Sequence, residues 1–186
     1  MKFFPTRIPE VVLIEPQVLG DHRGFFMETW QQRTFAEAGI ECSFVQDNHS
    51  RSTQGILRGL HYQIKQPQAK LVRVISGEVF DVAVDIRRGS PTFGQWVGER
   101  LSADNRLMLF VPAGFAHGFY VLSESAEFLY KCTDYYAPAY ERSLLWNDPT
   151  LAIDWPLVNG APPVLAAKDA HAQRFAEAEV YEAGLP

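Results

Sequence analysis

Turn chemistry recurs about every ten residues through the middle of the chain, and this spacing restricts the fold more than any other feature. Ser76-Gly77-Glu78, Arg88-Gly89-Ser90-Pro91, Ala103-Asp104-Asn105, Pro112-Ala113-Gly114 and Ser123-Glu124-Ser125 separate segments long enough for strands and too short for ordinary helices. In the clearest segment, residues 79–87, Phe80, Val82, Val84 and Ile86 alternate with Asp81, Ala83, Asp85 and Arg87. Period-two alternation predicts a strand with one buried and one wet face. Residues 71–75, 107–111, 119–122 and 127–133 read as strands too, joined by short turns or modest loops. The prediction is an all-β fold, an antiparallel barrel of jelly-roll type. Two short accessory helices are expected. One covers residues 31–38, with Gly39 just past its end, and an Ala-rich one covers 169–179, with Asp169 able to cap its first turn and its length packed on the barrel.

At 186 residues without a linker, repeat or low-complexity tract, the chain reads as a single domain spanning 1–186. An aromatic share of 13% suits sheet faces and ligand pockets. The formal net charge of -5 repels polyanions, so no nucleic-acid partner is expected, although a local basic pocket is compatible with it. No run approaches the roughly 18 apolar residues of a membrane span, and MKFFPTRIPE turns polar too early for a signal-peptide core; a cytoplasmic location without membrane contact is the expectation. Cys42 and Cys132 lie far apart in sequence and read as free thiols.

The five histidines, His22, His49, His61, His117 and His171, include no His-x-His pair of the kind that turns two imidazoles inward from one strand, so no metal is expected. With no nucleophile motif and no phosphate-cradling glycine loop, the remaining chemistry is proton transfer by His, Tyr and carboxylate. Such groups concentrate in QDNHSRSTQGILRGLHYQ, which holds Gln46, Asn48, Arg58 and His61. Arg58 and His61 differ by an odd number of positions, so a flat strand would turn them to opposite faces, and Gly59 is the natural place for a bend that brings them together. His61 is also readable as a satisfied core histidine and Arg58 as a surface charge. Tyr130 shares strand parity with Phe128 and Cys132, which makes it packing unless a histidine lies opposite. Asp169 is either a helix cap or the carboxylate that orients an imidazole. Lys70 and Arg73 flank a strand start and either line a pocket or decorate a surface.

The segments DHRGFFMETW, QDNHSRSTQGILRGLHYQ, KLVRVISGEVFDVAVDIRRGSPTFGQW, FVPAGFAHGFYVLS, FLYKCTDYYAP and LWNDPTLAIDWP, collinear over nearly the whole length, resemble the dTDP-4-dehydrorhamnose 3,5-epimerases. That resemblance implies a metal-free, cofactor-independent cupin-type jelly roll acting on a dTDP-linked 4-keto-6-deoxy sugar in dTDP-L-rhamnose biosynthesis. It implies His61 as the general base held by Asp169, Tyr130 as the acid on the opposite face of the sugar, and Lys70 at the enolate oxygen. It assigns Arg23, Glu28, Gln46, Asn48, Arg58, His117, Glu141 and Lys168 to substrate contacts, with Lys70 among them. Arg23 and Arg58 suit the diphosphate, because a guanidinium pairs with phosphate oxygens bidentately. Phe25 and Phe26 suit a nucleobase, or one of them a buried staple. The resemblance further implies a homodimer with exchanged N-terminal strands, so that Arg23 and Glu28 complete either their own site or the neighbour's. Two alternatives stand beside it: a relative acting at C3 alone or on another 4-keto sugar nucleotide, and a non-catalytic sugar- or nucleotide-binding cupin. Retention of His61, Lys70, Tyr130 and Asp169 together argues against the second.

Overall fold

The computed structural model describes residues 1–182. Alternating strands leave each sheet with an apolar face to cover, and the chain covers it by stacking two antiparallel sheets. In chain order the first strands are β1 (Lys2–Pro5), β2 (Val12–Glu15), β3 (Val18–Asp21), β4 (Gly24–Met27), β5 (Gln46–Thr53), β6 (Leu57–Gln63) and β7 (Lys70–Ser76). They continue with β8 (Glu78–Asp85), β9 (Trp96–Ser102), β10 (Met108–Val111), β11 (Phe115–Val121), β12 (Ser125–Cys132) and β13 (Glu141–Ser143). One sheet runs β1-β2-β10-β7-β12-β5 and the other β13-β6-β11-β8-β9, while among the described residues β3 and β4 pair only with each other as a hairpin. The expected antiparallel, strand-rich architecture is what forms, each predicted strand appearing within a few residues of its expected limits.

The main core lies between the sheets, where Val72 and Val74 of β7, Val79 and Ala83 of β8, Phe119 of β11 and Phe128 of β12 are all nearly inaccessible. Burial does not stop there. The outer face of β8 and β11 is covered by the C-terminal segment, through Leu151, Trp155, Val180 and Tyr181 against Val82, Val84 and Tyr120. The expected wet face of β8 is therefore a correction: Asp81 and Asp85 are fully buried. Asp81 points between the sheets towards His117, and Asp85 accepts hydrogen bonds from Arg87, Ser90 and Thr92. Each carboxylate turns inward because it has partners there, which is the condition for burying a charge.

The helix α1 (Gln32–Glu37) forms as expected, its first turn capped by the Gln31 side chain and its Phe35 buried against Ile14 and Met108. The helix expected at residues 169–179 does not form. Only α2 (Ala167–Ala170) is helical, Ala166 occupies its N-cap, and Asp169 lies inside it with its carboxylate turned inward. Beyond Ala170 the backbone of Gln173 bonds to Ser143 and Leu145, and a 3-10 turn follows at Phe175–Glu177. Ala-rich composition favours helix by a few tenths of a kcal/mol per residue, and strand-like pairing with the 143–145 segment outweighs it.

β6 and β11 slip by one residue between the pairs His117↔His61 and Phe119↔Arg58. This bulge places Arg58 and His61 on the same side, resolving their parity conflict at the expected glycine. Gly59 has φ +132 and lies so close to β11 that an added Cβ would sit 2.5 Å from the Gly118 Cα. The atoms such a Cβ would meet, Gly118 Cα and the His117 carbonyl oxygen, belong to backbone and cannot yield cheaply. Gly59→Ala should lower unfolding stability by about 3 kcal/mol or more, measured by denaturant melts; a near-neutral result would mean that β6 can leave β11 without cost.

Candidate functional site

Between the two sheets lies a cleft of about 600 Å³. Its walls come from inward-facing positions of β5, β6, β7, β11, β12 and β13, closed on one side by α2. The volume is in the usual range for a small-molecule site.

His61 reaches the cleft from β6 and places Nε2 2.6 Å from Asp169 Oδ1 on α2. Asp169 is 2% exposed and also accepts from the Gly59 amide. Holding the proton on Nε2 leaves the Nδ1 lone pair of a neutral His61 available as a base. A second imidazole, His117 of β11, is paired in register with His61 and bonds through Nε2 to both carboxylate oxygens of Asp81, at 2.9 and 3.0 Å. Burial lowers the His117 pKa, Asp81 raises it, and Lys70 and His61 lower it further. Among the described residues, no three His, Cys, Asp or Glu side chains converge in a metal-holding arrangement.

The opposite wall is the other sheet. Tyr130 projects from β12 beside Phe128, their ring centroids 6.0 Å apart, and Phe128 stacks on Phe119 at 4.2 Å. Burial raises the Tyr130 pKa, helped by the negative potential of Cys132 and Glu141, and the nearby Arg58 lowers it. Lys70, at the start of β7, lies in register with Cys132 and makes no hydrogen bond or ion pair among the described residues. Burial depresses its pKa, Cys132, Asp81 and Glu141 push it back up, and Lys168 lowers it. A partly dehydrated ammonium without a fixed partner is suited to an oxyanion that appears only during reaction.

Polar groups continue around the rim. Arg58 donates from Nε to Ser52 Oγ at 2.9 Å. Gln46 Nε2 donates to Asn48 Oδ1 at 3.0 Å and its Oε1 accepts from the Tyr136 amide at 2.8 Å. Glu141 accepts from Lys168 Nζ at 2.9 Å and from the Tyr136 hydroxyl at 3.2 Å. The cleft thus gathers Gln46, Asn48, Arg58, His61, Lys70, His117, Tyr130, Glu141, Lys168 and Asp169 from seven parts of the fold.

Arg23 and Glu28 are not brought to it. Arg23 sits at the β3–β4 turn, 79% exposed and paired with Asp21, and neither residue lines the cleft. Phe25 and Phe26, 58% and 68% exposed, stay out as well, with the Arg106 guanidinium 4.5 Å from the Phe25 ring. Two contributors escaped the sequence reading. Asp81 alternates with apolar residues as a solvent-facing residue would, and period two does not distinguish water from a buried partner. Tyr136 follows the last residue of β12 by four positions, and no periodicity reports where such a loop residue turns.

Comparison with known proteins returns one consistent answer. Residues 5–177 match the family model described as dTDP-4-dehydrorhamnose 3,5-epimerase. A dTDP-4-dehydrorhamnose 3,5-epimerase from Pseudomonas aeruginosa is 63% identical over 182 residues, covering 97% of this chain and 99% of that protein. The crystal structure of dTDP-6-deoxy-D-glucose-3,5-epimerase from Legionella pneumophila in complex with dTDP-4-keto-L-rhamnose superposes with a TM-score of 0.94 at 55% identity, covering 97% of each chain. A 3'-monoepimerase from Streptomyces bikiniensis in complex with dTDP-quinovose is more distant, with a TM-score of 0.86 at 36% identity over 92% of this chain and 87% of that one.

Proposed function

This chain belongs to the dTDP-4-dehydrorhamnose 3,5-epimerase family, and from that premise we infer how its cleft converts dTDP-4-dehydro-6-deoxy-D-glucose to dTDP-4-dehydro-L-rhamnose. One observation carries the inference: a carboxylate-held imidazole and a buried phenol project into a single cleft from opposite sheets. Hydrogens on C3 and C5 are acidic only because the C4 ketone can take up the charge as an enolate. His61 removes such a proton through Nδ1, and the resulting imidazolium is stabilised by Asp169. Lys70 stabilises the enolate oxygen. At C5, Tyr130 returns a proton from the other sheet and therefore to the other face, which inverts the carbon. Burial makes the phenol hold its proton more firmly than an ordinary tyrosine, and Arg58 moderates the cost of the phenolate.

Inversion at C5 leaves His61 protonated and Tyr130 ionised, so one proton must pass from base to acid before the next turnover. The cationic Arg58 and Lys168 hold the nucleotide diphosphate, with Gln46, Asn48, His117 and Glu141 as further contacts to the nucleotide sugar, and the Lys168–Glu141 pair neutralises itself until a ligand separates it. The test is incubation with the 4-keto substrate in deuterated water, following label by NMR. Label at C3 and C5 is the expected result; label at C3 alone would make this a monoepimerase, and binding without exchange would remove catalysis.

Arg23 and Glu28 belong, in this reading, to the neighbouring site of a cytoplasmic homodimer. Support comes from a hairpin that pairs with no other strand and exposes Leu19, Phe25 and Phe26. Mixing two inactive proteins, Arg23→Ala and His61→Asn, should then restore about a quarter of wild-type activity, since a statistical mixture contains heterodimers with one intact site. No recovery on subunit exchange would place Arg23 in its own subunit's cleft.

A further inference from the structure

The buried carboxylate of Asp81 has a neighbour on its far side. Glu99 of β9 is the in-register cross-strand partner of Asp81, so both side chains point to the same inner face, with Cβ atoms typically about 5 Å apart. Two carboxylates so placed compete to hold charge. Glu99 lies at the open edge of the sheet, next to the β1–β2 turn, whose Ile8 and Val11 plug the inner core. From that turn Arg7 lays its guanidinium 4.4 Å from the Trp96 ring and donates to the Trp96 carbonyl. The result is a column of ionisable groups crossing the molecule: His117 at the cleft, Asp81, Glu99, and Arg7 at the surface.

We propose that Glu99 is a positioning residue for nucleotide-sugar binding, acting through Asp81 on the His117 imidazole, with Arg7 setting how much of its charge is felt. This rests on reading His117 as a contact to the bound nucleotide. The other groups facing the pair are Lys70 from β7 and His61 from β6, with the Phe128 ring of β12 stacked beside the imidazole. Lys70 and His61 both disfavour a cation on His117, so Asp81, with Glu99 behind it, supplies the opposing field. Burial raises the Glu99 pKa, Arg7 lowers it and Asp81 raises it, the pattern expected of a carboxylate whose charge depends on its one basic neighbour. The link runs entirely through side chains outside the cleft lining.

The sign of the response separates field from packing. Glu99→Gln removes a negative charge and should lower the midpoint of His117 protonation, read by imidazole NMR on the full chain, by roughly half a pH unit or more. Arg7→Gln, at an exposed side chain, removes the charge that favours ionised Glu99, so burial and Asp81 drive Glu99 towards its neutral form and the midpoint should fall in the same direction, by less. The affinity for dTDP alone, measured across pH, should move with it in both variants. Midpoints that stay put, or rise in either variant, overturn the proposal; should Glu99→Gln misfold, a midpoint unmoved in Arg7→Gln does so by itself. His117→Asn with unchanged dTDP affinity would instead overturn the contact assignment, and with it the functional half of the proposal, whatever the imidazole shifts show.

Discussion

His61→Asn should lower solvent-derived label entry at both C3 and C5 by on the order of a thousandfold, within the range by which positioned acids and bases accelerate proton transfer. Asparagine ends near the Nδ1 position and falls short of Asp169, whose carboxylate keeps the Gly59 amide as a donor, so the cleft's backbone is left in place. The loss should accordingly appear in kcat with little change in KM or in dTDP affinity. A common loss at both carbons follows from His61 serving each deprotonation in turn, the cleft's other carboxylate-held imidazole, His117, being assigned to substrate contact. Wild-type exchange at either carbon would remove His61 from that role. Asp169→Asn should cost less than His61→Asn, because the imidazole remains and only its orientation and its cationic form lose support.

Tyr130→Phe should have the second largest effect, with a different signature. The family resemblance gives Tyr130 the proton delivery at C5, so inversion there should fall by about a hundredfold while exchange at C3 largely survives, turning a double epimerase towards a single one. Phenylalanine keeps the ring beside Phe128, so a folding defect is not expected, and an unchanged melting temperature would confirm it. The product mixture, read by NMR, is the direct measurement. Equal rates at C5 in variant and wild type would exclude the phenol as acid. Because burial raises the phenol pKa, Tyr130 should lose its proton only above the ordinary tyrosine value of about 10, so an alkaline fall in rate below that value belongs to Lys70, whose pKa burial depresses. Arg58→Met should push the Tyr130 titration higher still, since Arg58 is the nearby cation that favours the phenolate.

How far these roles were legible in the chain depends on the kind of information each needs. Turn spacing and alternation identified the strands because both are local properties. Parity alone put Tyr130 on the Phe128 face, and a bulge at Gly59 was required for Arg58 and His61 to meet; both follow from period-two geometry. The same geometry misjudged β8. Alternation separates two faces, but it does not say whether the polar face meets water or a buried partner, and Asp81 meets His117. The helix expected at 169–179 failed for a related reason: composition reports a propensity, while the competing partner, the 143–145 segment, lies about thirty residues away in sequence. Arg23 and Glu28 mark a further boundary, since one folded chain leaves them outside the cleft it forms.

The sequence by itself determined that this protein folds as an antiparallel β jelly roll, and its motifs identified the family and nearly all of the cleft's side chains. Tertiary structure decided which of those side chains oppose one another. That His61 and Tyr130 stand on different sheets, that Asp169 serves an imidazole and does not cap a helix, and that Asp81 and Glu99 face inward together are outcomes of how two sheets stack. Stacking is governed by long-range burial and by the need of each buried charge for a partner, and neither is encoded in the spacing of residues along one strand.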